Sequence, residues 1–402
     1  MMIVKKRLAL GLGFFLVLLL AACGGESSSS DGEELIDGIE DPHNDEVVNI
    51  GYSGPLSGPA ALYGENTLTG IRLAVEQIND GGGFDVNGQN YMLNLVALDD
   101  MYLPNETGTN ARRLVQEYDT PAIYIPHSGG IFASQVFNEQ EEFIIAAYSS
   151  EPNITEQGND LTVRIPPTYD VYIEPFSEYQ MERFGDKIAL LPTSSEYGKD
   201  WTDALIPKWE ELGGEVVYEG SVDFNKDTDF FTIVTNALSE DPDVLFIGGP
   251  SEPTALIAKQ ARELGFEGGF LIMDQAKLDE MEVVLETIEP LEGSVGTLPL
   301  IHSEYPGTDE FVAQYNEEHG RNPGSEAGFN FVMTYALVEA MKAAGTVSDT
   351  HEIMAHMQAG LDNFPEEKMA YEIKEIDSNG GFSVPLRMGV VEDGEIIEVI
   401  PE

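Results

Sequence analysis

Small hydroxyls, glycines and tyrosines gather where the apolar runs of this sequence end. Ser53 and Ser57 follow one run, Ser128 and Gly129 another, and Tyr148, Ser149 and Ser150 a third. Tyr63 and Tyr197 lie in similar stretches, and Asp274-Gln275 closes one more run. Hydroxyls and free backbone N–H groups at helix starts are donors suited to a carboxylate or another anion. Tyrosines supply apolar walls with one polar tip. For any single serine a helix cap is the plainer account. Repeated at successive run ends, the same residue types describe a pocket for a small polar solute.

Reaction chemistry has little to work with. Cys23 is the only cysteine, and a Gly-x-Ser-x-Gly nucleophile motif is absent from the loops. Among His43, His127, His302, His319, His351 and His356 the one close pair is His351 and His356. At i, i+5 these do not share a helix face, so no metal-ligand spacing results. His127 and Ser128 are neighbours, and neighbouring side chains in extended chain point apart, which argues against a Ser–His pair. Asp99-Asp100 lacks the alternating oxygen ligands of a calcium loop and is expected to form a solvated face. A protein without catalysis, cofactor or metal is the expectation.

The elements that must position these residues follow one grammar. An apolar run at 47–52 reads as a buried parallel strand. Gly51, Gly54, Gly58 and Gly64, with Pro55 and Pro59, break regular structure after it. From about Asn66 onward, Leu68, Ile71, Ala74, Val75 and Ile78 share one helical face. Strand, loop and helix then alternate: strands at 92–98, 122–126 and 143–147, with a short helix at 134–141. After a pause at Ile165-Pro166-Pro167 come strands at 187–191, 215–218, 243–247 and 269–273, with helices at 200–212, 230–238 and 253–264 between them. Segment 293–306 reads as a second crossing, and the tail from 371 as strands with turns at Ser378-Asn379-Gly380 and Asp393-Gly394. Such a series implies an α/β fold of two Rossmann-like lobes with mostly parallel sheets, joined by a multi-crossing hinge. Open sheets of this kind bind ligands at the C-terminal ends of their strands. A length of 402 residues suits two cores.

The start of the chain reads as an address. Lys5, Lys6 and Arg7 precede an apolar run at 8–19, then Leu20-Ala21-Ala22-Cys23-Gly24-Gly25. A basic region, a short apolar core and small residues mark a secretory signal peptide, here 1–22. The tetrapeptide ending in Cys23 resembles the lipobox of bacterial lipoproteins, in which the cysteine becomes the acylated N-terminus. That implies a protein of the cell envelope, facing the periplasm or the exterior. Residues 23–46, with Ser27 to Ser30 and many acids, form a flexible tether with a reach on the order of 25 Å. The net charge is −52, and removing residues 1–22 deletes three basic groups and no acid, leaving −55. Such a field repels nucleic acid and anionic lipid. Spread along the whole chain, it suggests adaptation to a salty medium.

Gly54-Pro55-Leu56-Ser57-Gly58-Pro59, Tyr63-Gly64, Gly70, the stretch 74–79 and Gly81-Gly82-Gly83 resemble the opening of type I periplasmic solute-binding proteins. The similarity is to the leucine/isoleucine/valine-binding family that serves ABC importers. Asp99-Asp100, the stretch 111–115, Tyr197-Gly198, 227–231 and Gln260-Ala261-Arg262 carry it across residues 47–402. The resemblance implies lobes of 47–168 with 299–380 and of 169–298 with 381–402. It implies a small-molecule ligand in the cleft and the importer's membrane permease subunits as partners. Ser128 and Ser150 would hold the ligand carboxylate, with Gly129 beside them. The Tyr148 carbonyl would meet an ammonium, and Tyr63 and Tyr197 would form the walls. Two departures stand out. The acid that pairs with the ligand ammonium aligns with Gln275, one position from Asp274, and a wall position that is often aromatic falls on Pro250 or Ser251. An amide does not balance a buried ammonium as a carboxylate does. Either Asp274 turns in and amino acids fit, or the ligand is an amide, urea or carboxylate without that charge. The same fold also admits a lipoprotein regulator of cell-wall synthesis, or the sensor input of a signalling partner.

Overall fold

The computed structural model describes residues 43–44, 46–371, 373 and 375–400; the expected signal peptide, Cys23 and all of the expected tether except 43, 44 and 46 lie outside the described residues. The described strands form two large sheets. The first, ordered β2-β3-β1-β4-β5-β6, is built from β1 (Val47–Gly54), β2 (Phe84–Val86), β3 (Gln89–Asp99), β4 (Ala122–Ile125), β5 (Ile144–Ala147) and β6 (Thr162–Arg164). All its pairings are parallel except β2 with β3. In the register of β1 with β3, Val47 faces Met92 and Gly54 faces Asp99.

The second sheet holds β7 (Lys187–Pro192), β8 (Glu215–Glu219), β9 (Val244–Gly248), β10 (Gly269–Ile272) and β11 (Ser294–Thr297). After a small pair, β12 (Glu375–Ile376) with β13 (Phe382–Ser383), the chain adds β14 (Met388–Glu392) and β15 (Glu395–Val399) to it. The order is β15-β14-β11-β10-β9-β7-β8, parallel from β8 to β11 and antiparallel at β14 and β15.

Each sheet is covered on both faces, which is why its strands read as unbroken apolar runs. Along β7, Ile188 and Leu190 pack under the helices Asp170–Arg183 and Glu196–Glu211. Ala189 and Leu191 pack on the other side, against Phe231–Leu238 and Ser251–Glu263. On the first sheet the helices Ala61–Asp80 and Ser325–Ala344 lie together over Ile50, Tyr52 and Leu95. They approach closely because residue 70 is glycine: a Cβ there would lie 2.0 Å from the Ala327 carbonyl oxygen. The sheets and the helices they carry make two lobes.

Several sequence expectations need correction. The helix expected at 134–141 is two helices, Ser128–Gln135 and Asn138–Glu141, so Ser128 and Gly129 belong to a helical first turn and not to a loop. The two glycines hid a start that the His127 side chain supplies: its Nδ1 accepts the Gly130 N–H at 3.0 Å. Likewise Tyr197 sits in the first turn of Glu196–Glu211, capped by Ser195 Oγ. The 293–306 crossing contains strand β11. Asp99-Asp100 is no solvated face, since Asp100 is fully buried.

Candidate functional site

The C-terminal ends of the strands from both sheets face one cleft. Tyr148, Ser149 and Ser150 continue β5, while Ser128 and Gly129 start the helix after β4. Tyr63 stands in the first turn after β1. From the second lobe, Tyr197 follows β7, and Asp274 and Gln275 follow β10.

Seven of the eight expected residues converge on an inner pocket with about 20 Å³ of free space: Tyr63, Ser128, Tyr148, Ser150, Tyr197, Asp274 and Gln275. Gly129 does not line it. It lines a larger outer chamber of about 540 Å³ instead, together with Ser128, Tyr197 and Pro250.

The inner pocket is laced from lobe to lobe. The Tyr197 hydroxyl donates to Asp274 Oδ1, and Trp201 Nε1 donates to the same oxygen at 3.0 Å. With the phenol proton committed there, Ser150 Oγ donates to the Tyr197 oxygen at 2.9 Å. Ser128 Oγ pairs with Ser149 Oγ at 3.0 Å, and Tyr63 donates to the Pro126 carbonyl at 2.6 Å. Gln275 Nε2 donates across the cleft to the Tyr102 hydroxyl at 2.8 Å, whereas its Oε1 is buried without a partner. Burial first, and then nearby acids and, for Tyr63, the Tyr102 phenol, pushes the phenols of Tyr63, Tyr148 and Tyr197 well up, so each stays protonated.

Asp274 and Gln275 both line the pocket, so a carboxylate and an amide reach it side by side. Lys277, 4% exposed, lines it too, with Nζ donating to the carbonyls of Asp274 and, at 3.1 Å, Gln275. These bonds hold the turn after β10 so that residues 274 and 275 both face the cleft.

Behind the pocket Asp100 is a structural hub. Its Oδ2 accepts from Ser53 Oγ (3.2 Å), Thr107 Oγ1 (2.8 Å) and His127 Nε2 (3.0 Å). His127 thus turns a proton toward Asp100 and a lone pair toward the Gly130 N–H. One acid and one histidine fix the helix start that carries Ser128. Sequence reading passed over Tyr102, Trp201, Lys277 and this His127–Asp100 pair. Tyr102 does follow a strand end, like the residues that were singled out, but the reach of the other three depends on packing. Among the described residues no cluster of His, Cys, Asp and Glu could hold a metal ion, and no helix is long and apolar enough to cross a membrane.

Residues 47–395 match the family model described as periplasmic binding protein. The chain is 27% identical over 314 residues to Leu/Ile/Val-binding protein homolog 1 of Brucella suis, covering 77% of this chain and 82% of that one. It is 23% identical over 343 residues to the leucine-, isoleucine-, valine-, threonine- and alanine-binding protein of Pseudomonas aeruginosa, covering 84% and 89%. The leucine-binding protein LivK of Thermotoga maritima superposes with a TM-score of 0.73 at 24% identity, over 88% of this chain and 98% of that one. These are solute-binding proteins that act outside the cytoplasm, not enzymes. The chain belongs to the type I periplasmic binding proteins, in the leucine/isoleucine/valine-binding family.

Proposed function

We propose that this protein is the lipid-anchored solute receptor of an ABC importer and that it takes a small α-amino acid, branched-chain or similar, between its lobes. The observation that carries this reading is the Asp274 carboxylate, which lines the inner pocket from the second lobe while Ser128 and Ser150 line it from the first. One side offers a negative charge to an ammonium, and the other offers hydroxyls and a helix start to a carboxylate. Tyr63 and Tyr197 close the pocket from opposite lobes. The lobes divide as 47–168 with 299–380 and 169–298 with 381–402. Closure is a hinge motion that ligand binding favours.

The test is a titration in high salt of leucine, its matched amide and its matched carboxylate against wild type and Asp274→Asn. Leucine should bind the wild type more tightly than either analogue, and should lose about tenfold or more in Asp274→Asn. Tight leucine binding that survives Asp274→Asn would show that the ammonium is held elsewhere. Preference for the amide or the carboxylate would exclude an amino acid as the ligand.

A further inference from the structure

Tyr102 stands where the inner pocket meets the outer chamber, and it lines both, as His127, Ser128 and Tyr197 do. Its placement is forced. Met101 (φ 53°) and Tyr102 (φ 62°) are consecutive non-glycine residues in the left-handed region, which side chains with a Cβ avoid. The two acids before them hold that backbone: Asp99 Oδ1 accepts the Met101 N–H at 2.8 Å, and Asp100 Oδ1 accepts the Tyr102 N–H at 2.9 Å. Asp100 is itself locked into the buried hub under the Ser128 helix. The ring lies against His127 with centroids 4.7 Å apart, and the hydroxyl is held from the opposite lobe by Gln275. Backbone strain held by several independent bonds, and spent on placing one aromatic ring in a cleft, is the pattern of a functional constraint.

Beyond that ring lies far more room than a short side chain needs. The chamber has about 540 Å³, bordered by Pro104 and Phe132 from the first lobe and by Thr193 and Phe224 from the second. A tail that leaves a head group at Ser128, Ser150 and Asp274 for the chamber passes among the four side chains that border both spaces, and Tyr102 is one of them.

We infer that Tyr102 is a specificity-determining partition: it confines the receptor to amino acids with short tails by walling the head-group pocket from the outer chamber. The ring forms the wall, and the hydroxyl, through Gln275, braces it when the lobes close. This inference rests on the amino-acid reading of the cleft. Without the ring, each added methylene could bury itself in the chamber, a gain of about fourfold in affinity per CH₂.

The test is calorimetry on the full-length protein in detergent and molar salt, with unbranched α-amino acids from 2-aminobutyrate to 2-aminodecanoate. Three proteins are compared: wild type, Tyr102→Gly and Tyr102→Phe. Glycine suits the left-handed backbone, so that variant removes the wall without adding strain. Tyr102→Asn, which tolerates the same conformation, repeats the test if the glycine variant fails to fold. In wild type, affinity should rise with the first methylenes and then drop by about tenfold or more at one chain length. In Tyr102→Gly the drop should vanish and the rise should continue. Tyr102→Phe should keep the wild-type cut-off while binding the whole series several-fold more weakly, because Gln275 loses its acceptor. An unchanged cut-off in Tyr102→Gly and Tyr102→Asn, with wild type binding the series, overturns the partition and leaves the amino-acid reading standing. Wild type that binds no member of the series overturns that reading, and the partition falls with it.

Discussion

Glu280 and Glu326 come from opposite lobes, and their carboxylates accept hydrogen bonds from the same amide nitrogen. Asn66 Nδ2 donates to Glu280 Oε1 and, at 3.0 Å, to Glu326 Oε1. Glu326 is fully buried and Glu280 is 8% exposed. Ser251 Oγ donates to Glu280 Oε2 at 2.6 Å, while Glu326 Oε2 and the neighbouring Asp279 Oδ1 are buried without partners. Two buried carboxylates this close are not both ionised at little cost, so this arrangement favours a proton between them.

The consequence is a pH dependence with a definite sign. Burial first, and then the Glu326 charge and Asp279, holds Glu280 well above the ordinary carboxylate range. Burial, and next Glu326, pushes Asp279 up to about 7, with Lys277 opposing. Arg321 reaches Asn66 Oδ1 and not the acids, and Tyr315 also bonds Asn66 while Tyr371 lies near the cluster. A carboxyl whose pKa is raised on folding gives stability that is complete below its unfolded pKa and is lost as pH rises through the folded value. Melting temperature and ligand affinity should therefore fall as pH rises from about 4, the Asp279 part through about pH 7 and the Glu280 part continuing upward, by at most about tenfold in affinity per pH unit for each proton released. Glu280→Gln, which keeps the hydrogen-bonding shape without the charge, should flatten much of the fall. The check is a thermal-shift and titration series in constant molar salt; an equally steep fall in Glu280→Gln would place the proton elsewhere.

Ser128→Ala and Ser150→Ala should each weaken ligand binding by ~1.5–3 kcal/mol, about tenfold to over a hundredfold. The helix beginning at Ser128 takes its cap from His127, so Ser128→Ala leaves that helix start in place. Calorimetry reads the affinity, and an unchanged melting temperature confirms that the fold is kept. Loss of the fold along with the affinity would make these serines structural.

With a net charge of −52 on the chain, self-repulsion should weaken folding in dilute buffer. As the Debye length falls from ~30 Å at 0.01 M to ~3 Å at 1 M, melting temperature should rise, even with chloride as the anion. Thermal melts across that range measure it; a flat or falling curve would count against a salty habitat.

Cys23→Ser should abolish lipid processing and release the protein from the membrane. Each buried acyl CH₂ contributes ~0.8 kcal/mol, and two or more chains give an effectively permanent anchor. Fractionation with mass measurement of the N-terminus is the check, and lipidated mutant in the membrane fraction would refute the assignment.

The order of strands, loops and helices was legible in the amino-acid sequence because both sheets are buried on two faces, and runs such as Ile188 to Leu191 have to be apolar throughout. The strand-end serines and tyrosines were legible for a related reason: in a parallel sheet every such end points toward one edge. Local pattern failed where a side chain did work that the backbone usually does. His127 capping across Gly129 and Gly130 moved a helix start by six residues, and the Asp99-Asp100 pair, acidic enough to pass for surface, became a bracket under Tyr102. Only the tertiary structure could show what Asp274 and Gln275 each bond to, since adjacent residues in a turn part company according to what receives them. Tyr197 and Trp201 take the acid, and Tyr102, 173 positions away, takes the amide. The Glu280–Glu326 pair was hidden for the same physical reason. In a chain with 72 acids two of them carry no signal until the two lobes bring them together away from water.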